Sequence, residues 1–394
     1  MKLPIASGAL QGIRVIDLSR VLAGPYCTQI LADHGADVLK IEPPQGDETR
    51  GWGPPFDADG TASYFLGLNR NKVGRTLDLT QPERRAELLE LLADADVLVE
   101  NFKTGTLEKW GLGWAFLSER FPRLVLCRVT GFGADGPMGG LPGYDAAIQA
   151  LSGIMSVNGE PDERSGEPLR VGLPVVDMVT GLNAALGILL ALQERQTSGR
   201  GQLVEAALYD CGLSLLHPHA ANHLLDGRLP KRSGNAHPNI YHYDTFATAS
   251  EPIFLAVGND RQFATLCTML GDAALARDER FLSNGQRSVN RVALKQRLEA
   301  LLAAHACNPL ARCLIEAGVP CAPIQDVAAA LADPHTAHRG MVVAIDGEEG
   351  GKEGGAEGSN RGYRGVASPI KLSRTPASYR LAPPRLTSED SGLA

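Results

Sequence analysis

Strand-like and helix-like segments alternate along the first part of the chain, and this alternation constrains the fold more than any other feature. The last strand-like run is apolar at nearly every position, which is typical of a strand buried on both faces of a parallel sheet. The alternation predicts the α/β class with a doubly wound parallel sheet. The strand-like runs are Ile13–Leu18, Asp37–Ile41, Arg75–Leu79, Val97–Val99 and Leu124–Val129, with helix-like stretches at 24–34 and 83–93.

The middle of the chain predicts a change of domain. A long apolar helix over Leu182–Arg195, a strand over Gln202–Ala207 and a helix over Tyr209–Asp226 precede a Gly/Pro/His-rich stretch that is typical of a linker. We therefore expect a large domain in 1–226, a smaller domain in 227–325 and a return to the large domain in 326–394. The Gly/Glu-rich segment 347–362 within this return predicts a mobile loop.

Charge and cysteine content narrow the function classes. The 394 residues carry 38 basic and 45 acidic side chains, a net charge of −7, and nucleic-acid binders usually show a basic excess instead. Seven dispersed cysteines without CxxC spacing favour reduced thiols, so we expect a cytoplasmic protein. The N-terminus lacks a signal-peptide pattern, and the most apolar run, 184–192, is shorter than the ~18 residues that a membrane span needs.

Two sequence patterns resemble known binding motifs, but the surrounding sequence does not support a dinucleotide site or a metal site. Gly131–Gly136 fits GxGxxG after a strand, but the prolines and glycines that follow prevent a helix from opening there, as a dinucleotide site requires. His217, His219 and His223 share a predicted helix without the further ligands that zinc prefers. We expect polar positions on a helix face or at a subunit contact, and no metal site.

Polar and aromatic side chains follow the strand that ends near Val99. Asn101 offers an amide, Phe102 a ring on which a purine can stack, and Lys103 and Lys109 positive charge for phosphates. Because ligands of parallel sheets bind at the carboxyl ends of the strands, this segment is a candidate binding site. A polar loop with solvated lysines explains the same residues equally well.

Asp177 stands just before the long apolar helix. Its position predicts an N-cap whose carboxylate accepts helix N–H bonds. A helix N-terminus also favours the ionised form of a carboxylate, which is the form that acts as a nucleophile. The two interpretations are compatible.

Taken together, these segments and several others resemble the family III CoA-transferases, the group that contains formyl-CoA and carnitine CoA-transferases. The stretch Thr49–Phe56 is most similar to the branch that handles succinyl and glutaryl groups. The matching segments are Leu10–Leu18, Leu22–Pro25, Leu39–Pro43, Gly46–Arg50, Asn69–Lys72, Glu100–Phe102, Thr130–Gly133, Gly143–Asp145, Asp177 with its helix, and Thr197–Gln202.

The resemblance implies a Rossmann-like large domain, a smaller α/β domain and an interlocked homodimer. It implies that Asp177 is the nucleophile, that coenzyme A and acyl-CoA are substrates rather than permanently bound cofactors, and that a carboxylic acid is the partner substrate. The CoA contacts that it implies are Leu22, Ala23, Leu77, Asn101, Phe102, Lys103, Lys109, Thr130, Gly131 and Phe132.

The reaction that the resemblance implies is CoA transfer between dicarboxylic acids through an aspartyl anhydride and an aspartyl-CoA thioester. A distal carboxylate needs a cationic or donating partner when it is desolvated, and Arg50, Arg70 and His237 are the candidates. An acyl-CoA racemase is the alternative within the superfamily. Racemases have a histidine base where this chain has Tyr144, another candidate substrate contact, and a phenol of pKa about 10 is a poor base at neutral pH. A non-catalytic CoA-binding protein is the third possibility.

Overall fold

The computed structural model describes residues 7–162, 166–345 and 362–387. The chain divides into two compact units. The first comprises Met1–Ile154, Val171–Leu215 and Pro334–Ala394, and the second comprises Met155–Arg170 and Leu216–Asp333. The predicted small domain 227–325 lies inside the second unit, which also takes 155–170, 216–226 and 326–333 from the predicted large domain. The segment 347–362 that predicted a mobile loop lies outside the described residues, except for Gly362.

A six-stranded parallel sheet forms the centre of the first unit, with strand order β3-β2-β1-β4-β5-β6. This confirms the predicted doubly wound sheet. The direction of winding reverses between β1 and β4, whose neighbours in the chain lie on opposite sides. The described strands are β1 Arg14–Asp17, β2 Asp37–Glu42, β3 Lys72–Thr76, β4 Val97–Glu100, β5 Val125–Thr130, β6 Leu203–Ala207, β7 Tyr243–Phe246, β8 Ile253–Ala256, β9 Cys321–Pro323, β10 Val342–Ile345 and β11 Tyr363–Val366.

The helices that connect these strands start and end at residues that favour helix boundaries. Pro82 occupies the first turn of its helix, where a missing N–H costs nothing, and Gly199 closes the longest helix in the left-handed conformation at φ 73°. The described α-helices are α1 Ala23–Asp33, α2 Ser63–Leu66, α3 Pro82–Leu92, α4 Thr106–Lys109, α5 Trp114–Arg120, α6 Asp145–Leu151, α7 Ile154–Val157, α8 Val175–Ser198, α9 Leu208–Ser214, α10 His219–Asp226, α11 Asp260–Met269, α12 Asn284–Val289, α13 Arg291–Leu302, α14 Cys307–Glu316, α15 Val327–Ala332 and α16 Pro334–His338.

The helix α8 carries Asp177 and packs against α1 in the first unit. Small residues form the contact, and a Cβ added at Gly181 would lie 2.6 Å from the carbonyl oxygen of Ala23. By length and composition this 24-residue helix is apolar enough to cross a membrane, which the sequence prediction had not allowed. Half of its apolar window (50%) is nevertheless buried inside the protein, as in the core helix of a folded domain.

The second unit is built around an antiparallel sheet with strand order β7-β8-β9. Its core is an apolar cluster that includes Phe246, Leu255, Phe263 and Leu298, each at most 2% exposed. This α/β arrangement agrees with the smaller domain expected from the sequence.

Three elements differ most from the sequence prediction. The third strand is Lys72–Thr76 rather than 75–79, because Lys72 is neutralised and buried inside the protein instead of remaining in solvent. The predicted helix 209–226 is two helices, since Pro218 cannot donate the backbone bond that would continue the first. The long helix α8 begins at Val175, ahead of the predicted Leu182.

Candidate active site

A cavity of about 190 Å³ lies at the carboxyl edge of the six-stranded sheet. Residues that follow β1 and β4 line it together with the last residues of β5, so it spans the point where the winding of the sheet reverses. This is where open α/β sheets bind their ligands. The lining residues are Arg20–Ala23, Glu48, Asn101–Thr104, Val129–Gly131, Gly140–Tyr144, Asp177 and Leu208.

The loop after β1 is fixed by hydrogen bonds on both sides. The side-chain amide of Asn101 accepts from the N–H of Arg20 at 2.9 Å and donates to its carbonyl at 2.7 Å. Val21 has a φ of 69°, which a β-branched residue rarely adopts, and its N–H donates to the carboxylate of Asp47. Lys40 completes the support by donating to the carbonyl of Ser19 at 2.8 Å. The strained conformation therefore persists because its surroundings impose it.

The segment after β4 combines a buried ion pair with an aromatic contact. Glu100 accepts from Arg128 at 2.6 Å and from the N–H of Phe102 at 2.9 Å. The ring of Phe102 meets that of Trp110 edge to face, with centroids 5.3 Å apart. Lys103 is exposed at the cavity and provides a positive charge there.

Asp177 is the third residue of α8, and its half-buried carboxylate lines the cavity. The predicted N-cap role is wrong. The N–H groups of Val176 and Asp177 donate instead to the carboxylate of Asp145, at 2.8 and 3.2 Å. Burial, followed by repulsion from Asp145, raises the pKa of Asp177 to about 7. These effects outweigh the helix N-terminus, which by itself favours the ionised form.

Tyr64 and Tyr144 complete the surroundings of Asp177. Burial, then the charges of Asp177 and Asp145, raise the pKa of Tyr64 to about 12, so its phenol stays protonated at neutral pH. The ring of Tyr64 lies edge to face with Trp52, with centroids 5.2 Å apart. Tyr144 lines the cavity just before α6 and is 60% exposed.

The structure brings together most of the predicted site residues. The predicted residues that line the cavity are Asp177, Leu22, Ala23, Asn101, Phe102, Lys103, Thr130, Gly131 and Tyr144.

Three predicted CoA contacts lie outside the lining of this cavity. Leu77 is 2% exposed in an apolar core cluster of the first unit. Phe132 places its ring 5.9 Å from that of Tyr209, and Lys109 is exposed at the end of α4.

The three predicted partners of a distal carboxylate are engaged elsewhere. Arg50 donates twice to Glu42, at 2.7 and 2.8 Å, and Arg70 is buried against Asp33 at 2.6 Å. The imidazole of His237, in the second unit, accepts backbone N–H groups at 3.1 and 3.2 Å. Each guanidinium is already neutralised by a carboxylate, Arg50 by Glu42 and Arg70 by Asp33, so neither is free in this structure to pair with a substrate carboxylate.

Several residues of the site were not singled out from the sequence. Glu48 lies in the matching segment Gly46–Arg50 and Asp145 in Gly143–Asp145, so a signal existed for both. Arg20 follows the predicted strand Ile13–Leu18, and ligands of parallel sheets bind at the carboxyl ends of strands, so its position was a weaker signal. Tyr64 had no signal, because only the fold places its helix near Asp177.

A larger cavity of about 630 Å³ also lies in the first unit. Asp33 and Arg70 line it, but they neutralise each other at 2.6 Å, and Asp177 is not among the lining residues. The smaller cavity is therefore the candidate active site.

The sheet order and the place of the cavity define a Rossmann-like α/β protein with a carboxylate at its ligand-binding edge. The model of CoA-transferase family III matches residues 10–390, and the chain belongs to this family. It is a CoA-transferase, as the resemblance predicted.

Named relatives support this membership. The chain is 41% identical over 391 residues to succinate–glutarate CoA-transferase of Agrobacterium fabrum, covering 98% of this chain and 94% of the relative. It is 36% identical over 345 residues to human succinyl-CoA:glutarate CoA-transferase, covering 87% and 78%. A CAIB/BAIF family protein from Brucella suis superposes with a TM-score of 0.83 at 41% identity, covering 97% of each chain.

Proposed function

We propose that this CoA-transferase moves CoA between two dicarboxylic acids of the succinate and glutarate type, with Asp177 as nucleophile. The names of two relatives support the substrate class. The observation that carries the mechanism is the half-buried carboxylate of Asp177 in the cavity at the carboxyl edge of the sheet.

The first half-reaction transfers CoA to the protein. The Asp177 carboxylate attacks the acyl carbon of the donor thioester, the C–S bond breaks, and a mixed anhydride and CoA thiolate form. The thiolate then attacks the carbonyl carbon of Asp177. The donor acid leaves with the bridging oxygen, and an aspartyl-CoA thioester remains.

The second half-reaction reverses these steps with the other acid. The acceptor carboxylate attacks the aspartyl-CoA carbonyl, which releases the thiolate and forms a second anhydride. The thiolate attacks the acceptor's acyl carbon, and Asp177 keeps one oxygen that came from the acceptor. Atoms and charges balance without ATP, because the thioester energy stays in covalent bonds.

The electrostatics of Asp177 suit this role. A carboxylate with a raised pKa is more basic, and therefore more nucleophilic, than one that is stabilised by solvent or by a cation. With a pKa of about 7, Asp177 is protonated at acidic pH and ionises as the pH rises through 7. We expect the transfer rate to rise over the same interval.

The cavity lining provides a path for CoA. We propose contacts of the acyl-CoA with Leu22 and Ala23 at the start of α1, and with the segment Asn101–Lys103 after β4. Lys103 supplies a charge for phosphate oxygens, and Thr130 and Gly131 border the cavity from β5. The remaining predicted CoA contacts, Leu77, Lys109 and Phe132, stay predictions from the family resemblance.

Arg20 is the better candidate for the distal carboxylate of the acid. It lines the cavity with Asp177, its side chain is 54% exposed, and the nearest carboxylate oxygen, on Glu48, lies 3.9 Å away. Arg20→Ala should raise the KM for glutarate by about ten-fold, since 1.4 kcal/mol is a factor of ten, and leave butyrate kinetics little changed. The matched control is Arg14→Ala, an exposed arginine at the start of β1. An unchanged KM for glutarate would exclude Arg20.

We also propose an interlocked homodimer in the cytoplasm. The leucines Leu182, Leu186, Leu189 and Leu190 of α8 are between 39% and 63% exposed, an apolar face that a second copy can cover. All seven cysteines are free, which fits a reducing compartment. Light scattering at micromolar concentration should give the mass of a dimer, and a monomer would contradict the assembly.

An exchange assay with a panel of acids tests the proposed function. Wild-type protein with succinyl-CoA should form glutaryl-CoA from glutarate far faster than products from formate or carnitine. Asp177→Asn keeps the shape but loses the charge, and it should reduce exchange about a thousand-fold or more while CoA still binds. Near-normal exchange by Asp177→Asn would contradict the mechanism, and a preference for formate or carnitine would contradict the substrate class.

A further inference from the structure

Asp145 is bonded to the backbone of the proposed nucleophile. It is the first residue of α6, is 8% exposed, and accepts with Oδ1 from the N–H groups of Val176 at 2.8 Å and Asp177 at 3.2 Å. The residue before α8, Pro174, has no side chain that could accept these bonds. A carboxylate from another helix therefore caps the first turn of α8.

Gln149 holds Asp145 and the approach to α8 in one network. Its Nε2 donates to Oδ2 of Asp145 at 2.6 Å and to the carbonyl of Leu173 at 3.3 Å. Its Oε1 accepts from the N–H of Val171 at 2.8 Å, and the side chain is fully buried at 0% exposure. The network thus fixes the backbone from Val171 to Asp177 against α6.

We propose that Asp145 is a positioning residue for the transfer reaction. It fixes the first turn of α8, and its negative charge beside Asp177 keeps the nucleophile's carboxylate reactive. The inference rests on the proposed role of Asp177 as nucleophile. Asp145 acts through Asp177 and does not itself touch the acyl group.

The charged groups around Asp177 predict the direction in which its pKa should move when Asp145 is neutralised. The described groups that line the cavity with it are Arg20, Lys103, Tyr144 and Glu48. The charges of Asp177, Asp145 and Asp47 all raise the pKa of Tyr64 on α2. The free thiol of Cys211 lies on the neighbouring helix α9. Burial is the first cause of the raised pKa of Asp177, and Asp145 is the second. Neutralising Asp145 removes the second cause, so the pKa of Asp177 should fall.

The test compares Asp145→Asn with Asp145→Glu in the full-length enzyme. Asp145→Asn keeps an oxygen that can accept the two N–H bonds but removes the charge. The acid limb of kcat/KM, which reports the free enzyme, should move to lower pH by roughly half a unit or more. Asp145→Glu keeps the charge but displaces the oxygens, so kcat should fall about ten-fold or more with little movement of the limb.

Two controls separate this inference from a general loss of structure. Asp94→Asn makes the same chemical change at an exposed ion pair before β4, and it should leave the pH profile unchanged. If Asp145→Asn does not fold, Asp145→Ser replaces it as a neutral acceptor with the same expected direction of shift.

The outcomes distinguish the two proposals. If Asp145→Asn folds and the acid limb of its kcat/KM profile lies at the wild-type pH, the proposed role of Asp145 is overturned. The role of Asp177 as nucleophile is not affected by that result. If the wild-type enzyme forms glutaryl-CoA from ¹⁸O-labelled glutarate without gaining ¹⁸O on Asp177, the proposed role of Asp177 as nucleophile is overturned. A limb that moves to higher pH also overturns the role of Asp145, because the sign would then be wrong.

Discussion

Both units bury an apolar cluster, but among the described residues the first unit buries many more charged side chains than the second. On the strands of its sheet, the first unit buries charged groups, among them Asp17 and Lys40, each 0% exposed, and Lys72, 1% exposed. The core of the second unit is an apolar cluster whose members include Leu266, Leu294 and Leu298, all at 0%. Arg287 is a buried cation beside that cluster, and it pairs with Asp260 at 2.6 Å.

This difference follows from what each kind of contact can do. Apolar burial has no preferred direction, so it holds a unit together without fixing a loop. The ammonium group of Lys72 donates to Asp17 at 3.0 Å, to the carbonyl of Pro25 at 2.9 Å and to Asn69 at 2.8 Å. These bonds tie β1, β3 and α1 together beside the loop that lines the cavity. Replacing a whole buried ion pair with apolar groups often costs little stability, so stability alone does not explain why these charges are buried. We infer that their role is to fix the geometry of the site.

Breaking the Asp17–Lys72 pair should have the largest effect. Lys72→Met leaves the buried carboxylate of Asp17 without its main partner, and it should lower the free energy of unfolding by about 3–5 kcal/mol. Urea unfolding at neutral pH measures this. The control is Lys295→Met, which removes a partly exposed lysine from Asp244 and should cost about 1 kcal/mol. Equal losses in the two variants would contradict the comparison.

Acid should weaken the first unit in a defined interval. Burial raises the pKa of Asp17, but Lys72 and Lys40 outweigh it and lower the value to about 2, below the usual 3.8. The stability that this group contributes is therefore present above pH 4 and is lost as the pH falls towards 2. We expect a loss of about 2 kcal/mol in unfolding free energy over this interval, and a smaller loss in Lys72→Met. Parallel pH profiles for the two proteins would be the opposite result.

Releasing the loop after β1 should affect binding more than stability. Asn101→Ala removes both bonds to the backbone of Arg20, so the strained Val21 loop loses its support. The KM for acyl-CoA should rise about ten-fold, equivalent to 1.4 kcal/mol, with a nearly unchanged melting temperature. Steady-state kinetics and a thermal melt together check this. An unchanged KM would show that Asn101 does not contribute to acyl-CoA binding.

A methionine introduced into the apolar core of the second unit should cost less stability than a methionine at Lys72. Leu298→Met nearly conserves side-chain volume in an apolar cluster, and it should lower the free energy of unfolding by about 1 kcal/mol. Transfer activity of the folded protein should be retained. Because Lys72→Met introduces the same residue, the pair compares the two kinds of burial directly. If Leu298→Met lowered the free energy of unfolding as much as Lys72→Met, the two kinds of burial would not differ in the way proposed.

Local pattern predicted much of the fold. Two-sided apolar runs such as Leu124–Val129 identified buried parallel strands, and β5 is buried at every position from Val125 to Thr130. The third strand was misplaced because Lys72 does not resemble a strand residue until Asp17, far away in the chain, neutralises it.

The site was predicted only in part, for the same physical reason. Segments that follow strands in the chain meet at one sheet edge, so Asn101–Lys103 and Gly131 could be expected there. The carboxylates that neutralise Arg50 and Arg70 lie 8 and 37 residues earlier in the chain, and spacing alone does not identify either pair. The acceptor of the N–H groups of α8 was assigned to Asp177 itself, because the approach of Asp145 on α6 cannot be read from sequence.

Oxygen transfer to Asp177 tests the central claim most directly. In the proposed mechanism, each turnover leaves one acceptor oxygen on the Asp177 carboxylate. Enzyme turning over succinyl-CoA with ¹⁸O-labelled glutarate should therefore gain ¹⁸O in the tryptic peptide Val171–Arg195, and fragmentation should place it on Asp177. Labelled glutarate without a thioester donor should give no incorporation. Formation of glutaryl-CoA with an unlabelled Asp177 would contradict covalent catalysis at this residue.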